Sequence, residues 1–250
     1  MKKKRVAFFD FTCCEGCQLQ VANMGELLLD VLDIIDIVEF REVMSEKSDD
    51  YDIAIVEGSI TTPHDEERLK TIRKNAKTLI AYGSCAAIGG INGMKNSFDL
   101  DEIRNYVYGD AAKHFDTMKT RALSQVVEVD YTVYGCPVYL PEFVKILKYA
   151  VGDIPYCVKD EAVCVECKLN ENECMYEKGV TCLGPITKAG CNSWCINNGN
   201  ICYGCRGMVK ETVKNGCMEI LEKYNIPLEW VLGKIDMYNK TLETEGNHKK

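Results

Sequence analysis

Through the first 155 positions, short apolar runs alternate with stretches of helical period. Val6-Ala7-Phe8-Phe9 reads as a buried strand, and Ile37-Val38-Glu39-Phe40 and Ile53-Ala54-Ile55-Val56 read as two more. Thr78 to Tyr82 makes a fourth strand and Val126 to Tyr134 a fifth. Between them, Leu19 to Leu32 repeats apolar residues at helical spacing, within a helix expected over 18–33. Glu67 to Ala76 forms a charged helix opened by Pro63 and Asp65-Glu66, and Leu100 to Tyr108 a short one within the polar segment 91–125. Pro141 opens a last helix that runs to about Val151. Strands separated by helices predict an α/β fold with a parallel sheet.

The pattern changes abruptly at residue 156. Cys164, Cys167, Cys174, Cys182, Cys191, Cys195, Cys202 and Cys205 follow among Gly, Asn and Pro, with almost no apolar period. Such a segment has too little hydrophobic surface to fold unaided, and metal or cluster ligation would supply the missing stabilisation. An amphipathic helix is expected from Met208 to Tyr224, with Cys217 in its core face. Another is expected from Pro227 to Tyr238, docking on the body or on a partner, and a frayed tail beyond Asn239. The chain thus divides into 1–155, 156–210 and 211–250.

Charge and targeting narrow the class. Thirty Lys and Arg against 38 Asp and Glu leave a net charge of -8, which argues against a nucleic-acid backbone as partner. Lys2-Lys3-Lys4-Arg5 resembles the start of a signal peptide, but only four apolar residues follow before Asp10 and no small-residue cleavage site appears. No segment approaches the ~20 apolar residues of a membrane helix. The expectation is a soluble cytoplasmic protein.

Fifteen cysteines are too many for chance core packing. A disulfide framework suits a small secreted chain, whereas this one has an odd number and three CxxC pairs, so metal binding is the better account. Cys14 and Cys17 form the first pair, in the strand-to-helix loop Phe11-Thr12-Cys13-Cys14-Glu15-Gly16-Cys17. Gly83-Ser84-Cys85 ends the fourth strand and Gly135-Cys136-Pro137 the fifth. In a parallel sheet all such loops emerge at the carboxyl edge, so Cys14, Cys17, Cys85 and Cys136 would converge there, as a [4Fe-4S] cluster requires. Glycines at 16, 83, 89, 90 and 135 would let the backbone approach such a cluster. Gly83 to Gly90 lacks the ending of a phosphate loop and has no GxGxxG. Glu57 also ends a strand, and either faces the same edge or caps the next turn as a surface carboxylate. His64, His114 and His248 sit in polar contexts and read as solvated. The eight later thiols suffice for two [4Fe-4S] clusters or two zinc sites, though zinc prefers paired CxxC knuckles and only Cys164/Cys167 and Cys202/Cys205 are so spaced.

On Cys14-Glu15-Gly16-Cys17, Val56-Glu57-Gly58-Ser59, Gly83-Ser84-Cys85 with Gly89-Gly90, and Gly135-Cys136-Pro137, the chain resembles the small, electron-transferring subunit of a [NiFe] hydrogenase of the cytoplasmic, multi-subunit branch. The resemblance runs from Cys14 to about Gly207. It implies a flavodoxin-like first domain, helices on both faces of its sheet, whose Cys14, Cys17, Cys85 and Cys136 hold a proximal [4Fe-4S] cluster. A loop-dominated iron-sulfur domain would follow. Chain order then suggests Cys164, Cys167, Cys174 and Cys182 for a second cluster and Cys191, Cys195, Cys202 and Cys205 for a third. Cys13, Cys157 and Cys217 are left over.

The resemblance further implies that a separate large subunit holds the nickel-iron centre, while this chain carries electrons to another redox subunit: flavin- or iron-sulfur-containing, and linked to NAD(P), a deazaflavin or a disulfide. Glu15 fits either a proton-handling role toward the large subunit or a structural one. Cys164 stands where the periplasmic branch has a histidine ligand, and a twin-arginine leader is absent; both agree with the cytoplasmic branch. Cys13 beside Cys14 is similar to the tandem cysteines of the quinone-reductase subunit of respiratory complex I, which makes an iron-sulfur relay without hydrogenase activity the alternative.

Overall fold

The computed structural model describes residues 3–158, 160–209 and 219–241. Strands β1 (Lys4–Asp10), β2 (Ile35–Phe40), β3 (Ile53–Glu57), β4 (Thr78–Tyr82) and β5 (Tyr131–Val133) form one sheet in the order β2-β1-β3-β4-β5. Every neighbouring pair is parallel, which is the flavodoxin-like order of a doubly wound sheet. Side chains alternate between the faces of a strand, and both faces here are covered. Val6, Phe8, Ile53, Ile55, Ile80 and Tyr82 pack on one side with Phe143, Ile146 and Leu147 of helix α6 (Leu140–Val151). Ala7, Phe9, Ala54, Val56 and Leu79 pack on the other with Leu69 and Ile72 of α3 (Pro63–Asn75). Burial on two sides explains why β3 reads as an uninterrupted apolar run.

Three boundaries differ from the sequence reading. The helix expected over 18–33 is two helices, α1 (Gly16–Ala22) and α2 (Leu27–Leu32). The Asn23 side chain donates to Leu19 O, and Gly25 turns the chain in the left-handed region at φ 61°. Helix α3 begins at Pro63, the residue read as its opening, behind a capping box of Thr62 and Asp65, and ends at Asn75, one residue before the expected Ala76. The fifth strand shrinks to Tyr131–Val133. A turn of 3-10 helix at Leu123–Gln125 precedes it, Val126, Val127 and Val129 pack beneath the sheet, and Asp130 takes the Leu79 amide at 2.7 Å where the longer strand would have paired. Helix α4 (Ser84–Ile88) follows β4 directly, and α5 (Leu100–Tyr108) forms as expected.

The cysteine-rich region carries α7 (Val163–Leu169), α8 (Trp194–Asn197) and a 3-10 turn at Gly184–Ile186. It is less bare than its composition implied. Val163, Met175, Leu183, Ile186, Ile196 and Ile201 form an apolar cluster with Leu221 and Val231 from the C-terminal part of the chain. Helix α9 (Leu228–Asn239) supplies Val231, and Thr241, fully buried, donates to Ile88 O, so the fraying expected beyond Asn239 does not apply to Lys240 and Thr241. Met208 lies in a bridge with Thr187 rather than in the expected helix, and residues 210–218, Cys217 among them, lie outside the described residues. Among the described residues no helix is long and apolar enough to cross a membrane.

Arg206 fastens this region to the sheet. It is fully buried, and its guanidinium meets the Glu142 carboxylate of α6 in two bonds of 2.7 Å. It also donates to Tyr134 O at 2.9 Å and Ala189 O at 2.8 Å, while the Ser84 hydroxyl donates to Cys205 O. A buried bidentate pair is costly to break because the surviving charge is stranded. Glu142→Ala is expected to cost about 3–5 kcal/mol, lowering the thermal unfolding midpoint by roughly 10 °C. The double variant Glu142→Leu with Arg206→Met should recover most of that loss, as read by differential scanning calorimetry.

Candidate metal centres

Parallel pairing delivers the expected thiols to one rim. Cys13, Cys14 and Cys17 follow β1, Cys85 lies in the first turn of α4 after β4, and Cys136 follows β5. The sulfurs of Cys85, Cys136 and Cys14 act on one another electrostatically, as do those of Cys17 and Cys136. Cys13 lies close enough to feel Cys85 and Glu57, which makes it a fifth thiol at this edge. Gly83, at φ 88°, is required here: a Cβ would stand 2.6 Å from the Cys17 sulfur. At Gly90, φ 54°, a Cβ would stand 2.9 Å from that of Cys85.

Glu57 is only 2% exposed, so it is not the surface carboxylate that one reading of the sequence allowed. It accepts the amides of Cys17 at 3.2 Å and Gln18 at 2.9 Å, capping the first turn of α1 from across the sheet. It faces the thiol edge, and burial raises its pKa against the pull of those two amides. Glu15, left-handed at φ 62°, pairs with Arg41, which also meets Asp10 at 3.2 Å.

The later thiols ring two cavities. One of about 50 Å³ is lined by Cys191, Cys195, Cys202 and Cys205 together with Cys136, Arg206 and Tyr238. Another of about 30 Å³ is lined by Cys164, Cys167, Cys174 and Cys182 with Met175, Tyr176, Gly184 and Pro185. Val163 and Ile196 line both. The Cys136 amide faces the Cys205 sulfur, and the Cys202 amide donates to the Cys182 sulfur at 3.2 Å. Space therefore reverses the chain order: the set that comes last in sequence lies against the sheet edge, and the earlier set lies beyond it. Tyr238 of α9 places its phenol beside the Cys136 sulfur, a contact that nothing in the cysteine spacing announces.

Burial pushes the Cys85, Cys164 and Cys205 thiols up to about 12, with neighbouring sulfurs adding to the rise for each. Thiols so placed stay protonated at neutral pH unless a cationic centre displaces the proton. Among the described residues no three His, Cys, Asp or Glu side chains group so as to hold a single metal ion. Soft sulfurs in fours around apolar cavities suit a cluster with one thiolate per iron better than a zinc ion bonded to four sulfurs at about 2.3 Å. The donor set and the glycine approaches fit [4Fe-4S] groups. Cys157 is exposed, as are His64 and His114.

A parallel sheet with thiols gathered at its carboxyl edge is a scaffold for a protein-bound redox centre. Residues 14–150 match the family described as NADH ubiquinone oxidoreductase, 20 Kd subunit, and the chain belongs to that family. It is 35% identical over 234 residues to sulfhydrogenase 2 subunit delta of Pyrococcus furiosus, a match covering 92% of this chain and 97% of that protein. It is 30% identical over 245 residues to a subunit of the F420-non-reducing hydrogenase vhu of Methanocaldococcus jannaschii, covering 85% of this chain and 84% of that one. Among solved structures, a chain of an NAD+-reducing [NiFe]-hydrogenase superposes with a TM-score of 0.55 at 22% identity, over 62% of this chain and 96% of that chain, a likeness of fold. The resemblance to hydrogenase small subunits read from the motifs is borne out, as is an oxidoreductase subunit that acts within a complex.

Gly83→Ala tests the close approach at the rim. The variant is expected to fold but to lose about four iron atoms per chain, one cluster's worth, measured by iron analysis of anaerobically purified protein.

Proposed function

We propose that this chain is the electron-relay small subunit of a cytoplasmic [NiFe] hydrogenase. Three [4Fe-4S] clusters would be held by Cys14, Cys17, Cys85 and Cys136, by Cys191, Cys195, Cys202 and Cys205, and by Cys164, Cys167, Cys174 and Cys182, in that spatial order. A large subunit with the nickel-iron centre would adjoin the first set and a further redox subunit the last. When bound, each cluster accepts and releases one electron.

The observation that carries this reading is the continuity of the three thiol sets. Cys136 lines the cavity of the Cys191 set, and the Cys202 amide bonds the Cys182 sulfur of the next. The chain's own residues do the supporting work. Val163 and Ile196, both buried, line the cavities of the middle set and the last and keep the space between them apolar. Glu57 fixes the turn that presents Cys17, and Arg206 fixes the loop that presents Cys205. The family match ends at residue 150, before the eight later thiols, whereas the Pyrococcus furiosus hydrogenase subunit is matched over 92% of this chain. This supports a hydrogenase over a quinone-reductase relay.

The complex co-purified with this chain under anaerobic conditions is expected to reduce a viologen dye with H2. The chain should contain about twelve iron and twelve acid-labile sulfide, four of each per cluster. Zinc in place of iron would overturn the cluster assignment. A full iron content without H2-dependent reduction would overturn the hydrogenase assignment and leave a bare relay.

A further inference from the structure

Glu166 stands in sequence between Cys164 and Cys167, yet its carboxylate reaches the loop that carries a different thiol set. One oxygen accepts the Gly190 amide at 2.8 Å. The other accepts the Ser193 amide at 3.1 Å and lies 3.9 Å from the Cys191 sulfur. Asn192 and Ser193 both adopt left-handed backbone, at φ 53° and 49°, a strained pair for residues other than glycine. This turn is what aims the Ser193 amide at Glu166.

The same loop is held a second time by neutral groups. Ser193 is fully buried; its hydroxyl accepts from the Asn170 side chain at 2.8 Å and donates to Asn197 at 2.7 Å. Fastening α7 to this turn would need nothing charged. A carboxylate is present nonetheless, set against a sulfur. Arg206, itself paired with Glu142 through two 2.7 Å bonds, also acts on Cys191 with the opposite sign. Removing the Glu166 charge would take away the negative contribution at Cys191 and leave that of Arg206 in place.

We infer that Glu166 is a positioning residue that lowers the reduction potential of the site formed by Cys191, Cys195, Cys202 and Cys205, by holding a carboxylate charge against the Cys191 sulfur. The inference rests on the relay reading above. A fixed negative charge disfavours the arrival of one more electron at the neighbouring site, and partial burial keeps the effect from being screened. An electron at the middle site would then be held less tightly and passed on more readily.

The test is a redox titration of the co-purified complex followed by electron paramagnetic resonance. The middle site's signal is assigned as the one lost in Cys195→Ser. Glu166→Gln keeps an acceptor oxygen and removes the charge; Glu166→Asp keeps the charge. With iron and sulfide at the wild-type level, Glu166→Gln should shift the middle-site midpoint to a more positive potential while the sheet-edge signal stays in place. Glu166→Asp should lie closer to wild type. An unchanged middle-site midpoint in Glu166→Gln overturns the inference. Loss of iron from that variant overturns it too, since a purely mechanical strap then accounts for the residue. Absence of iron and sulfide from the wild-type complex brings down the relay reading itself.

Discussion

Parallel pairing is the constraint on which the rest of this molecule depends. In a sheet whose five strands all run the same way, the loops that leave the strand ends have one rim in common. Residues as far apart as Cys14 and Cys136 meet there although β1 and β5 are not neighbours in the sheet. One antiparallel strand at β4 or β5 would have sent Cys85 or Cys136 to the opposite edge. The glycines and the buried Glu57 refine this arrangement. Gly83 and Gly90 admit sulfur where a side chain would collide, and Glu57 satisfies the amides of the turn that presents Cys17.

The cysteine-rich region relies on a different device. Its apolar cluster is small and draws on Leu221 and Val231, among others, from later in the chain. The joint to the sheet domain is polar, the buried Arg206–Glu142 pair, reinforced by carbonyls on both sides. A buried ion pair adds little net stability over an apolar contact, but a mispaired one is heavily penalised. Arg206 adjoins Cys205, so the residue that fixes the orientation of the region is one step from the thiol that the Cys136 amide faces. Register between the sheet edge and the cavities thus leans on an ion pair that tolerates little error, with the Ser84–Cys205 bond beside it.

Much of this was legible in the sequence where the determining physics is local. Apolar runs ending in Gly-Ser-Cys and Gly-Cys-Pro marked two strand ends, and with the CxxC loop after the first strand they yielded four of the ligand candidates. What escaped had distant causes. The break at Gly25 interrupts a stretch whose apolar period continues across it. The fifth strand lost its first half to Asp130, whose partners are the Leu79 amide and Arg73. The spatial order of the two later thiol sets is not encoded in their spacing, because it depends on how α7 and α8 pack around Val163 and Ile196. That Glu57 faces the thiol edge was one of two readings open in the sequence, but its partners and those of Glu166 were not legible: they are backbone amides 39 and 24 residues or more away.

The most direct measurement is an anomalous difference map at the iron absorption edge, from crystals of the anaerobically prepared complex. Three compact iron peaks are predicted: one bounded by Cys14, Cys17, Cys85 and Cys136, and one in each of the two cavities, with the Cys205-lined peak in the middle. A map without iron between Cys85 and Cys136, or with single peaks at the zinc edge in the cavities, would contradict the account.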